Sequence, residues 1–130
     1  CCVFCGGSKV NLAYFTPDEF RCNCGKCGLG FADMKPKLLL MLDDARELAR
    51  IPFTPTSSIR CPEWNEKVGG VDSSSHLTGL AVDIAANTSA KRFKIIEAAR
   101  RAGFNRIGVA RTFVHLDCDP EKVANVLWTY

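Results

Sequence analysis

The chain has 130 residues, of which 47% are apolar and 24% charged, enough for one globular domain with a single core and too few for two. Its formal net charge of +3 is spread along the sequence with no run of five or six basic residues, which excludes a nucleic-acid arm but suits approach to an anionic polymer. The longest apolar stretch, Leu38 to Leu42, falls far short of the roughly 20 residues that a membrane helix needs, so no membrane insertion is expected.

Six of the eight cysteines fall in the first 27 positions: Cys1, Cys2, Cys5, Cys22, Cys24 and Cys27. Cys2 with Cys5 and Cys24 with Cys27 have the C-x2-C spacing of a thiolate zinc site, and each pair is followed by glycine. A disulfide framework reaching Cys61 or Cys118 fits the same cysteines, and spacing alone does not decide between the two. Residues 1–30 therefore read as a cysteine-rich, loop-rich cap integral to a single domain, with residues 31–130 forming its main body. The start, Cys1 to Cys5, lacks a basic region followed by an apolar one, so no signal peptide is expected there, and without an initial Met the localisation is not legible from this end.

Leu38, Leu42, Ala45, Leu48 and Ala49 recur at helical spacing, predicting an amphipathic helix from near Asp33 to just before Pro52. Thr56 to Arg60 reads as a short strand with Arg60 at its end, and Glu63 to Ser75, with Gly69-Gly70 and three serines, as an exposed loop. Leu80 to Ile84 follows as a strand in which Asp83 faces away from Val82 and Ile84. Thr88 or Ser89 caps a second helix, with Phe93, Ile96, Ala99 and Ala102 as its apolar positions and Gly103 as its stop. Phe104 to Val109 and Phe113 to Cys118 form a hairpin, with His115 and Asp117 on one face. Asp119-Pro120 opens a final helix through Val123 and Val126 to about Trp128. These elements predict an α+β domain, a small antiparallel sheet with flanking helices.

The two histidines each lie close in sequence to an aspartate in a strand segment. His76 and Asp83 can reach one point if Gly79 turns the backbone tightly between them, and His115 from the hairpin would complete a set of two nitrogens and one oxygen. Three protein ligands with a fourth position left to water is the arrangement of a catalytic zinc, which acidifies bound water to near neutral pH.

At these residues the sequence resembles the M15 zinc peptidases, the family of zinc D-Ala-D-Ala carboxypeptidases and phage endolysin peptidases, in its small branch. The family pattern S-x-H-x-x-G-x-A-x-D is matched by Ser74, His76, Gly79, Ala81 and Asp83. Its S-x-x-R and R-C-P-x-x-N motifs appear as Ser57 to Arg60 and Arg60 to Asn65, and its F-V-H-x-D segment as Phe113 to Asp117. Phe15 to Gly28 looks like the F-x-C-x-C-G-x-C opening of this branch, so the likeness covers about residues 15–118.

The resemblance implies the hedgehog/DD-peptidase fold and one catalytic zinc held by His76, Asp83 and His115; beside it, the cysteine spacing leaves a second, structural zinc or disulfides open at Cys2, Cys5, Cys22, Cys24 and Cys27. It implies Arg60 as the partner of a substrate carboxylate or of charge at the scissile carbonyl, and Ser74 as a substrate contact. The implied activity is hydrolysis of peptidoglycan peptides at the cell wall by a monomer. One position departs from the family: the acidic residue three before the last histidine is Thr112. Asp117 then stands either as the proton acceptor or as a partner orienting a histidine, with Glu63 and Asp72 as further candidates for the base. A non-catalytic, zinc-containing wall-binding module, as in the metal-binding hedgehog domain of the same fold, is the rival reading that Thr112 favours.

Overall fold

A computed structural model describes residues 10–130. Among the described residues five strands form one sheet: β1 (Pro55–Ser57), β2 (Ala81–Ala85), β3 (Arg106–Val109), β4 (Phe113–Asp117) and β5 (Val126–Thr129), in the spatial order β1-β2-β4-β3-β5. Neighbours run antiparallel except β5, which lies parallel to β3. The helices are α1 (Pro36–Ala49), α2 (Pro62–Lys67) and α3 (Ser89–Ala102). This is the expected α+β domain, with a parallel edge strand that the sequence reading lacks.

Alternation along the strands divides the sheet into two faces. Val82, Ile84, Ile107, Val114 and Leu116 join one buried core with Ile95, Ala98 and Ala99 of α3 and Leu38, Leu39, Leu42 and Ala45 of α1. Burying each of the larger side chains contributes about 1.5–3 kcal/mol relative to leaving it in water. Phe15, Phe20 and Cys22 of the cap belong to the same core, so the cap is continuous with the body. Asp43 also anchors it, its carboxylate accepting the N–H groups of Ala13 and Tyr14 at 2.9 and 3.0 Å.

Several elements depart from expectation. Helix α1 starts at Pro36 rather than near Asp33, because Phe31–Asp33 close a separate 3-10 turn and Met34 is extended. Its buried stripe includes Leu39 and leaves Leu48 exposed. In α3 the buried face is Ile95, Ala98 and Ala99, and Phe93 is 68% exposed, so that helix is rotated relative to the face read from sequence. Strand β1 spans only three residues, its pairing interrupted by a shift in register between Pro55 and Ser57. The supposed loop from Glu63 begins as α2, which Cys61 caps by accepting the Trp64 N–H on Sγ, with Pro62 at the first helical position.

The expected final helix is replaced by a turn and β5. Asp119 uses its side chain to accept the Glu121 N–H at 3.0 Å, a local turn that competes with helix capping, and Asn125 takes a left-handed φ of 62°. Val126 to Thr129 then pair with β3, as β-branched and aromatic residues favour.

The strand registers carry one consequence for the site. Ser57 is opposite Asp83, Asp83 opposite His115, His115 opposite Gly108, and Gly108 opposite Trp128. A single row across all five strands thus presents its side chains on the face away from the helical core.

Candidate metal centre

His76 enters from a 3-10 turn, Ser75–Thr78, whose first residue is preceded by Ser74. The Ser74 hydroxyl accepts the His76 N–H at 3.2 Å, and Gly79 ends the turn at φ +74°. Gly79 has no substitute here: a Cβ would lie 2.3 Å from the Asp33 carbonyl oxygen, in addition to the strain of a left-handed backbone. The tight turn that the spacing requires is therefore present, packed against the backbone of Asp33 and Met34 just before α1.

His76 Nδ1 lies 2.7 Å from the Ser58 carbonyl oxygen, which can only accept, so Nδ1 carries the proton and Nε2 presents a lone pair. That Nε2 is buried, makes no hydrogen bond among the described residues, and faces Asp83 Oδ1 at 3.3 Å. Two acceptors facing each other in a buried site are resolved by a cation between them. On the other side, His115 Nδ1 is 3.0 Å from the same Asp83 oxygen while its Nε2 is 2.7 Å from Asp117 Oδ2. A neutral ring that donates Nε2–H to Asp117 turns its Nδ1 lone pair toward Asp83.

Donor atoms of His76, Asp83 and His115 all lie within 4.8 Å of one another. Two imidazole nitrogens and a carboxylate oxygen suit zinc, and the orphaned Nε2 is the sign that this group of residues fits one.

Charge at the site follows from the same contacts. A proton can stand in for such a cation: burial opposes ionisation of Asp83, but hydrogen bonding and positive charge from protonated histidines hold its carboxyl well below the usual range. Burial likewise disfavours charge on His115, and the Asp117 and Asp83 carboxylates overcome it and raise its pKa. Asp117 is lowered against its burial by His115 and Arg106. With 1% side-chain exposure, Asp117 has its oxygens committed: Oδ1 accepts Arg106 Nε at 2.7 Å and the Asp119 N–H at 3.2 Å, and Oδ2 faces His115.

Arg60 borders the centre, its Nη2 3.7 Å from Asp83 Oδ2. Its Nε donates to Ser57 Oγ at 3.1 Å and its Nη1 to Asn65 Oδ1 at 3.0 Å, which gives both the S-x-x-R and the R-C-P-x-x-N spacings a mechanical meaning. Asn65 is held in turn by donating to the Val71 carbonyl at 2.9 Å.

These groups open onto a cleft of about 490 Å³ that Arg60, Ser74, His76, Asp83, His115 and Asp117 line together with Arg106, Lys122, Trp128 and Tyr130. Asp83 and Asp117 are the carboxylates in its walls. Glu63, Asp72 and Thr112 are exposed and lie outside them. Ser74 lines the cleft, but its hydroxyl already serves the His76 turn.

Trp128, Tyr130 and Arg106 were missed from sequence, since the first two sat at or beyond the end of a supposed helix. The Trp128 ring lies 5.4 Å from that of His115, and the Arg106 guanidinium sits 5.1 Å from the indole. The alternation in Val126-Leu127-Trp128-Thr129 was the available signal.

Of the cysteines, Cys22, Cys24 and Cys27 converge with Cys61 at a second group of donor atoms, while Cys118 stands apart. Cys2 and Cys5 lie outside the described residues. Among those described, no helix is long and apolar enough to cross a membrane.

Compared with known families, residues 13–117 match the family model described as Peptidase M15. No curated protein matches the chain.

Proposed function

The chain belongs to the peptidase M15 family, whose members are zinc enzymes, and on that premise we propose that it is a zinc-dependent peptidase hydrolysing amide bonds in peptidoglycan stem or cross-link peptides at the cell wall. The observation that carries this reading is the buried, unpartnered His76 Nε2, aimed with Asp83 and His115 at one point on the floor of an open cleft. Zinc bound there supplies Lewis acidity that polarises a carbonyl and acidifies water.

The rest of the chemistry belongs to the chain. Arg60 is tethered through Nε and Nη1, so its Nη2 edge is fixed toward the cleft for a substrate carboxylate or the charge that develops on the scissile carbonyl. Asp117 orients His115 through Nε2, on the side of the ring away from Asp83, and its committed oxygens support positioning rather than proton acceptance. Trp128 lines the cleft beside the His115 ring. The exposed Tyr130 phenol, protonated at neutral pH, is a hydrogen-bond donor at the rim. Arg60, Arg106 and Lys122 among the lining residues favour a substrate with free carboxylates, as peptidoglycan stem peptides have.

Zinc-loaded protein incubated with purified peptidoglycan is expected to release peptide fragments that mass spectrometry assigns to one type of amide bond. Intact muropeptides, with a known peptidase active in parallel, would overturn the proposal.

One observation favours a second reading, a zinc-containing wall-binding module without turnover: among the described residues, the carboxylates in the cleft walls, Asp83 and Asp117, are already engaged, and Thr112 is exposed where the family has an acid. Under that reading Thr112→Glu creates hydrolysis absent from the parent, and the parent still sediments with peptidoglycan. Turnover by the unaltered chain excludes it.

A further inference from the structure

We propose that Cys22, Cys24, Cys27 and Cys61 bind a structural zinc ion as four thiolates, and that this site fixes Arg60 from outside the cleft. Two stretches of chain, Cys22 to Cys27 and the residue before α2, bring the sulfurs together, and all four lie within 4.8 Å of one another. The Sγ atoms of Cys22 and Cys61, 39 residues apart, are 3.8 Å from each other, the spacing of about 3.8 Å expected for sulfurs some 2.3 Å from a tetrahedral zinc.

The backbone around them is arranged for negative charge. Every one of the four sulfurs receives a main-chain N–H: Cys61 donates to Cys22 at 3.4 Å, Lys26 and Cys27 to Cys24 at 3.4 and 3.2 Å, Leu29 to Cys27 at 3.4 Å, and Trp64 to Cys61 at 3.4 Å. Neutral thiols are weak acceptors, so five such bonds point to thiolates. Gly25 and Gly28, at φ +74° and +82°, turn the chain so that these N–H groups face inward. Four thiolates in one place repel unless a cation holds them, and a closed tetrahedral sulfur set selects zinc among common divalent ions.

The link to the cleft is short. Cys61 follows Arg60 directly, its sulfur caps α2, and α2 carries Asn65, the acceptor of Arg60 Nη1. The Arg60 N–H donates to the His76 carbonyl at 3.0 Å, so a shift at Cys61 reaches both sides of the centre. Cys61 is thus a positioning residue for Arg60. The effect on Arg60 rests on the peptidase reading, whereas the thiolate site stands without it.

Metal counting and cobalt substitution separate the two. Wild-type protein is expected to hold two zinc ions and His76→Ala one. Cobalt-loaded His76→Ala should keep intense thiolate-to-cobalt charge-transfer bands, and chelation should abolish them and expose four thiols to alkylation by mass spectrometry. Loss of all metal from His76→Ala, iron in place of zinc, or disulfides mapped by peptide mass spectrometry to Cys22, Cys24, Cys27 or Cys61 in freshly purified protein would overturn the site. If Cys24→Ser folds, its zinc count falls by one and KM for a carboxylate-bearing peptide rises roughly tenfold, an effect that vanishes in an Arg60→Ala background. An equal rise in that background would overturn the link to Arg60 and leave the thiolate site standing. Absence of peptidase activity with two zinc ions bound would count against the proposed function alone.

Discussion

Among the described residues, two clusters of side chains could hold a metal ion, and they are built in opposite ways. His76, Asp83 and His115 draw two of their three members from adjacent strands in fixed register, and they face a cleft. Cys22, Cys24, Cys27 and Cys61 are assembled by turns and a helix cap, and two of the four, Cys22 and Cys61, are buried in the core. The nitrogen–oxygen set leaves room for a fourth, exchangeable ligand; the sulfur set supplies all four positions itself. A sheet ladder offers precise placement of few groups, whereas turns can surround a point. Reaction and cross-linking call for these different solutions.

The comparison predicts that the two clusters fail differently. His76→Ala should lower turnover by several kcal/mol of lost transition-state stabilisation, on the order of a thousandfold, while thermal unfolding stays cooperative near the parent midpoint. A large drop in that midpoint would mean that the histidine centre is structural too.

Asp117→Asn keeps the shape of the side chain but removes the charge that meets His115 Nε2 and Arg106. Zinc affinity at the centre should fall roughly 10- to 100-fold by competition titration, with the cysteine site unaffected. Unchanged affinity together with a collapse of kcat would instead return Asp117 to the role of proton acceptor.

Gly108→Ala sharpens the contrast within the sheet. A Cβ there would lie 2.6 Å from the Trp128 indole nitrogen, so the ring must move off His115, at a cost of about 1–3 kcal/mol in denaturant unfolding. The smallest effect is expected at Gly25→Ala, where the added carbon meets nothing within 4 Å and only the φ of +74° is strained, about 1 kcal/mol. If the two substitutions cost the same, the close approach of Trp128 is not what Gly108 is for.

The legible parts of the molecule are those where short-range geometry repeats a rule. His115 and Asp117 could be placed on one face, and Asp83 on the face opposite Val82 and Ile84, because strand side chains alternate, and the hairpin and the Gly103 stop obeyed local signals. The unread parts depended on partners distant in sequence. Nothing near Pro62 shows that Cys61 will cap a helix with its sulfur, because its position is shared with Cys22 through a contact 39 residues away. Asp119-Pro120 carries the marks of a helix start, and the segment becomes a turn because Asp119 is drawn to Ser75 at 2.7 Å and the next residues find an open edge on β3. Trp128 and Tyr130 came to the site only through that parallel pairing.

The row Ser57–Asp83–His115–Gly108–Trp128 also sets a time scale for the site. Strand-borne members of the row change their spacing only when the ladder between their strands opens, and in β2 and β4 that ladder lies over the buried core, where opening approaches global unfolding. The main-chain amides of these two strands should therefore be among the slowest to exchange with deuterated solvent. Metal would then arrive at a socket whose strand-borne ligands, Asp83 and His115, are already set on the time scale of catalysis.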